Sequence, residues 1–150
     1  NESFEAFVNV GLLDAEYDGF IADLDGANAE GLVEPTNNDY LTPKYAPEMT
    51  ASFGGTYTAD LGDGELQLFA KYSFVDELYS ITDNRDVGKV PSTEKIDASI
   101  TFLKDNYKIS LFGRNLTDEI TSPVRDISSL MIFGSPSVGT VYGITLSANF

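Results

Sequence analysis

The sequence predicts an all-β fold, a six-stranded antiparallel meander with long loops on one rim and tight turns on the other. Three observations support this. Apolar and polar residues alternate at a period of two in six separate stretches, the pattern of strands with one apolar and one polar face. Long polar connections and short turns join these stretches in strict alternation, and successive connections of an antiparallel meander fall at opposite ends. The last nine residues place Tyr142, Ile144, Leu146, Ala148 and Phe150 on one side of a strand, and Gly143, Thr145, Ser147 and Asn149 on the other.

The first stretch runs from Phe4 to about Tyr17. Phe4, Ala6, Val8, Val10 and Leu12 share a face, after which Asp14 and Glu16 take the same phase, so the apolar zone ends near Leu13. Residues 18–46 are acidic and rich in Gly and Asn, and with Pro47 behind them they read as a loop. The second strand, Thr50 to Leu61, alternates Ala51, Phe53, Gly55, Tyr57 and Ala59 against Ser52, Gly54, Thr56 and Thr58. Gly62-Asp63-Gly64 tolerates positive φ and makes a tight turn, from which the third strand leaves at once with Leu66, Leu68, Ala70, Tyr72 and Phe74 in one phase. A looser segment, Asp76 to about Ser92, precedes a fourth strand in which Ile96, Ala98, Ile100 and Phe102 alternate with Asp97, Ser99 and Thr101. Lys104-Asp105-Asn106 turns the chain into a fifth strand, Tyr107 to about Leu116, where Phe112 sits in the polar phase. The last loop spans Thr117 to about Val138 and contains Pro123, Gly134 and Pro136.

Composition removes most chemistry. The chain has no cysteine and no histidine, so disulfides, thiolate nucleophiles, zinc-finger spacings and an imidazole general base are all absent. Acidic residues outnumber basic ones 24 to 9, and no basic stripe exists, which excludes phosphate-driven nucleic-acid binding. Asp76 and Glu77 are adjacent, so on a strand end they point to opposite faces and do not form an acid–base pair. No enzyme activity and no cofactor are expected.

No run approaches the ~20 apolar residues of a membrane helix. The chain opens Asn1-Glu2-Ser3 without a signal-peptide pattern, so any secretion signal is expected upstream. Strands of about ten residues, tilted ~45°, match the ~25 Å apolar band of an outer-membrane barrel, and such barrels have short turns on one rim and longer loops on the other. Six strands fall short of the roughly eight in the smallest closed barrels, so the chain is expected to be part of a larger transmembrane barrel.

Several segments then resemble one family in order along the chain. Gly11 to Tyr17 looks like the end of a late barrel strand, and Tyr45-Ala46-Pro47-Glu48-Met49-Thr50-Ala51-Ser52 looks like the start of the next. Phe112-Gly113-Arg114-Asn115-Leu116-Thr117-Asp118-Glu119 resembles a Gly-x-Asn-Leu-Thr-Asp-Glu signature, and Phe150 is a terminal aromatic. Together they resemble the C-terminal part of the TonB-dependent outer-membrane receptors, with residues 1–150 as one barrel portion lacking the plug and the earlier strands.

The resemblance implies a receptor of the bacterial outer membrane that binds and imports a scarce nutrient such as an iron chelate, cobalamin or a glycan. It implies as partners the membrane lipid, the rest of the barrel and its plug, the TonB complex through the missing N-terminal part, and the barrel assembly machinery. Tyr17, Tyr79 and Arg85, near loop bases, become candidate ligand contacts, with interfacial girdle tyrosines as the competing role. Lys71 and Arg114, in the polar phase, would face the lumen and a plug, or stand as hydrated wall charges. Tyr142, Ile144, Leu146 and Phe150 become the assembly signal. A soluble β-sandwich binding module and a smaller pore-forming barrel remain alternatives. The acidic loop from Asp14 to Glu48 reads as a solvated loop kept soluble by like charge; calcium is its competing role, although Asp23-x-Asp25-Gly26 lacks EF-hand spacing. Asn115-Leu116-Thr117 matches a glycosylation sequon, but strand termination is the expected role of its side chains.

Overall fold

The computed structural model describes residues 3–24, 31–122, 124–127 and 131–149. Six long strands form one antiparallel sheet in chain order: β1 Ser3–Leu12, β2 Met49–Asp60, β3 Glu65–Val75, β4 Thr93–Lys104, β5 Tyr107–Arg114 and β6 Val141–Ala148. This is the expected meander. The boundaries move by a few residues where local chemistry competes with the ladder. β1 stops at Leu12, just before Asp14 and Glu16 enter the apolar phase. β5 stops at Arg114 because Asn115 takes a left-handed φ of 52°.

Inter-strand register decides whether six alternating strands share their faces, since a slip of one residue inverts a strand. Here every strand is in phase. Val8 pairs with Phe53, Phe53 with Tyr72, and Tyr72 with Ile96. Leu68 pairs with Ile100, Ile100 with Leu111, and Leu111 with Ile144. The apolar residues therefore form one band across all six strands. On the opposite face Thr101 and Ser110 share a hydroxyl hydrogen bond of 2.8 Å, and Asn9 Nδ2 donates to Ser52 Oγ at 3.3 Å.

The apolar band is uncovered. Val8 is 73% exposed, Leu146 69% and Tyr142 75%, and the buried apolar residues among those described are Leu41 and Val90, both in loops. The remaining ladders are two-stranded pairs within the connections, so among the described residues no second sheet packs on the six-stranded one. A β-sandwich would bury these faces against each other. No described helix is long and apolar enough to cross a membrane.

The two short connections lie on one rim. Leu61 N donates to Gly64 O at 2.9 Å, with Gly62 at a φ of 76° that a residue bearing Cβ adopts at a cost. Lys104 pairs with Tyr107 across Asp105 and Asn106, and Asp105 takes a φ of 51°. Lys104 Nζ reaches Asp63 at 2.5 Å and ties one turn to the other. The long connections, residues 13–48, 76–92 and 115–140, lie on the opposite rim.

Asn115 organises the base of the third long connection. It is buried to 6% exposure, and its amide nitrogen donates to Glu119 O at 3.0 Å and Val138 O at 3.1 Å. Its side-chain oxygen accepts from Glu119 N at 3.1 Å, and its backbone N–H donates to Asp97 Oδ1 on β4 at 2.9 Å. Thr117 Oγ1 donates to Glu94 O at 2.7 Å, and Thr140 Oγ1 to Asn115 O at 2.7 Å. Asp118 Oδ1 accepts from Thr140 N at 2.9 Å. The Asn-Leu-Thr-Asp-Glu run thus ends β5, as its residue types predict, and also fixes where β4 and β6 begin.

Candidate functional site

The long-loop rim is built from short, hydrogen-bonded pieces. In the first connection Ile21–Ala22 pairs with Thr36–Asn37, and Asn38, buried to 3% exposure, donates to Ala22 O and Thr36 O at 2.9 and 2.8 Å. Asp39 accepts from the Phe20 N–H at 2.6 Å and from the Asn37 amide at 2.9 Å. These bonds favour its charged form and hold the carboxyl below its ordinary pKa, the Phe20 N–H foremost. Tyr17 leans on Phe20, with ring centroids 4.6 Å apart.

In the second connection Leu78–Tyr79 pairs with Lys89–Val90 around a 3-10 turn at Asp86–Gly88. Ser80 is buried there, its N–H and hydroxyl both donating to Gly88 O. Lys89 donates to Glu77 at 2.8 Å, and this hydrogen bond, with the attraction between the charges, raises the ammonium pKa.

The two connections dock on each other. Asn84, at a φ of 51°, accepts from Thr42 N at 2.6 Å and donates back to Thr42 O at 2.9 Å. Tyr45 N donates to Tyr79 O at 2.8 Å. Between them lies a hollow of about 210 Å³ lined by Glu48, Asp76, Tyr79 and Lys89. A second, of about 470 Å³, is lined by Tyr17, Tyr40, Asp14 and Glu16, and Thr42, Ala46 and Glu48 belong to both. Two of the expected ligand contacts, Tyr17 and Tyr79, therefore line adjoining hollows on this rim. Arg85 lines neither; it pairs with Asp83 at 2.5 Å, and its side chain is 61% exposed. Thr42 and Asn84 carry no sequence signal for their contact, since the residues that meet are 42 positions apart.

The two expected wall cations project from the polar face. Lys71 lies opposite Gly54 and Asp97, and Arg114 opposite Val141, its guanidinium carbon 5.2 Å from the Phe112 ring centroid. Tyr142, Ile144 and Leu146 line the apolar face of β6, whose outer edge has no partner strand among the described residues. Phe150 lies outside the described residues. Asp25 does too, and among the described residues no three acidic side chains are grouped to hold a metal ion.

No family model matches the sequence. Among solved structures the chain is similar to the ferric yersiniabactin uptake receptor FyuA from Yersinia pestis, with 20% identity and a TM-score of 0.69. The likeness covers 78% of this chain and 19% of that one, so the chain spans about a fifth of the receptor it matches. Over that stretch the six-stranded antiparallel sheet thus has the fold of a segment of that uptake receptor.

Proposed function

We propose that the chain is a wall segment of a TonB-dependent outer-membrane receptor that captures a scarce nutrient and imports it, with a metal chelate as the foremost ligand class. One observation carries this reading: the uncovered apolar band runs in register across six strands, on a fold shared with a siderophore uptake receptor. Apolar side chains left open on one face of a sheet with a polar opposite face suit hydrocarbon outside and a hydrated lumen inside. At about 3.3 Å per residue and a tilt of ~45°, a ten-residue strand rises ~23 Å, close to the apolar band of the membrane.

The segment does no covalent chemistry. The apolar face holds the wall in lipid, the polar face lines the passage, and the docked loops with Tyr17 and Tyr79 meet the ligand from outside. The outer edge of β6, with Tyr142, Ile144 and Leu146, meets the assembly machinery. Deletion of the gene, followed by growth on defined ferric chelates, cobalamin and glycans, tests this function. Loss of growth on one of these, restored by the intact gene, supports it; unchanged growth and uptake on all of them overturns it.

A further inference from the structure

The first two long connections are each braced from within by buried residues, Asn38 and Leu41 in one, Ser80, Gly88 and Val90 in the other. Gly88 is packed so closely that a Cβ there would collide with the Ile81 side chain. Loops held in this way open as bodies, because parting one contact parts several. What decides whether the two bodies move separately or together is the joint between them.

At that joint the Asn84 amide spends both of its functions on one residue. Its oxygen accepts from Thr42 N at 2.6 Å and its nitrogen donates to Thr42 O at 2.9 Å, as the backbone of a neighbouring strand would. The left-handed φ of 51° that aims the side chain is one asparagine adopts more readily than most residues. Glycine takes that angle freely but makes neither bond, and aspartate has no donor. Asn84 lines neither hollow, whereas Thr42 lines both, so a shift of Thr42 alters the Tyr17 hollow and the Tyr79 hollow together.

We propose that Asn84 is a positioning residue of the ligand site: by pinning Thr42 it holds the two connections as one body and makes the two hollows a single composite site. The inference rests on the proposed function, which turns this rim toward the ligand. Adjoining hollows of about 210 and 470 Å³ set the size of the occupant, a solute bulky enough to touch Tyr17 and Tyr79 at once, such as a metal chelate, rather than a bare ion or a monosaccharide. A solute held by both hollows binds the joined state, so its apparent affinity falls with the fraction of receptor in which the joint is open.

Amide hydrogen exchange of the full-length receptor in detergent tests the joint without any ligand. Asn84→Gly keeps the backbone angle and deletes both bonds; the Tyr45–Tyr79 backbone bond remains, so the change is graded. Exchange of the Phe20, Asn38 and Leu41 amides, whose own bonds lie within the first connection, is expected to rise roughly tenfold, and about threefold in Asn84→Asp, which keeps the acceptor for Thr42 N. A rise confined to Thr42 shows two independent loops and overturns the proposal. Growth over a concentration series of ferric chelates supplies a readout that a merely structural bond would not move. The half-maximal concentration is expected to rise roughly tenfold in Asn84→Gly at an unchanged maximal rate; a lower maximal rate at an unchanged half-maximal concentration overturns the positioning role. Outer-membrane amount and heat-modifiable mobility show that each variant is folded, and Asn84→Asp carries both readouts if Asn84→Gly is not. Growth on these chelates that is the same with and without the unaltered gene counts against the proposed function, and the exchange result still decides the joint.

Discussion

Asn115 ties the end of β5 to Glu119 and Val138 of the third long connection through its side chain, and it bends the backbone there through a left-handed angle, so the two contributions can be separated. Asn115→Ala removes the bonds to Glu119 and Val138 and forces alanine into positive φ; a loss of about 2–4 kcal/mol is expected. Asn115→Gly removes the same bonds and relieves the backbone, so it is expected to lose ~1 kcal/mol less. Denaturant titration of the refolded receptor measures both, and equal losses would show that the backbone angle contributes nothing. Asp39 supplies a pH test. Its folded pKa lies below the ordinary carboxylate value of ~3.9, so its bonds stabilise the first loop above that value and are lost as the pH falls through the lower folded one. Protease nicking within residues 18–46 is expected to stay slow down to about pH 4 and to accelerate below it; a rate independent of pH over that window, after correction for the protease, contradicts the assignment.

At the scale of the strand, alternation and register make a prediction that differs between neighbouring residues. Leu111 lies mid-strand on the apolar face and Ser110 beside it on the polar face. On the proposed function Leu111→Arg places a charge in hydrocarbon and is expected to cost about 2–4 kcal/mol, whereas Ser110→Arg stays in the hydrated passage and loses the Thr101 hydroxyl bond, about 1 kcal/mol. Refolding into lipid vesicles with denaturant titration measures the pair; similar losses at both positions would refute the assignment of faces. The strands themselves were legible because a period of two is local, and only their ends shifted. The same locality explains what was missed in the loops. Tyr17 and Tyr79 were legible as loop-base aromatics, but the Thr42–Asn84 and Tyr45–Tyr79 contacts that dock the loops bring together residues remote in sequence and free of any repeating pattern.

At the scale of the molecule, the outer edges of β1 and β6 have no partner strand among the described residues. In hydrocarbon each unpaired backbone amide costs several kcal/mol, and a strand edge carries several. The 150-residue polypeptide alone is therefore expected not to insert as a stable monomer. Refolding into detergent micelles followed by gel electrophoresis with and without heating tests this, and a compact, heat-modifiable monomer would refute it. The amino-acid order alone was enough to set the strands, the faces each one presents and the two kinds of rim, because alternation and turn chemistry act over a few neighbouring residues. Tertiary structure alone decided that the six apolar faces share one register and that two loops lock together. These depend on which residues pair across strands and loops, and pairing is set by the free energy of the whole sheet rather than by any one stretch of it.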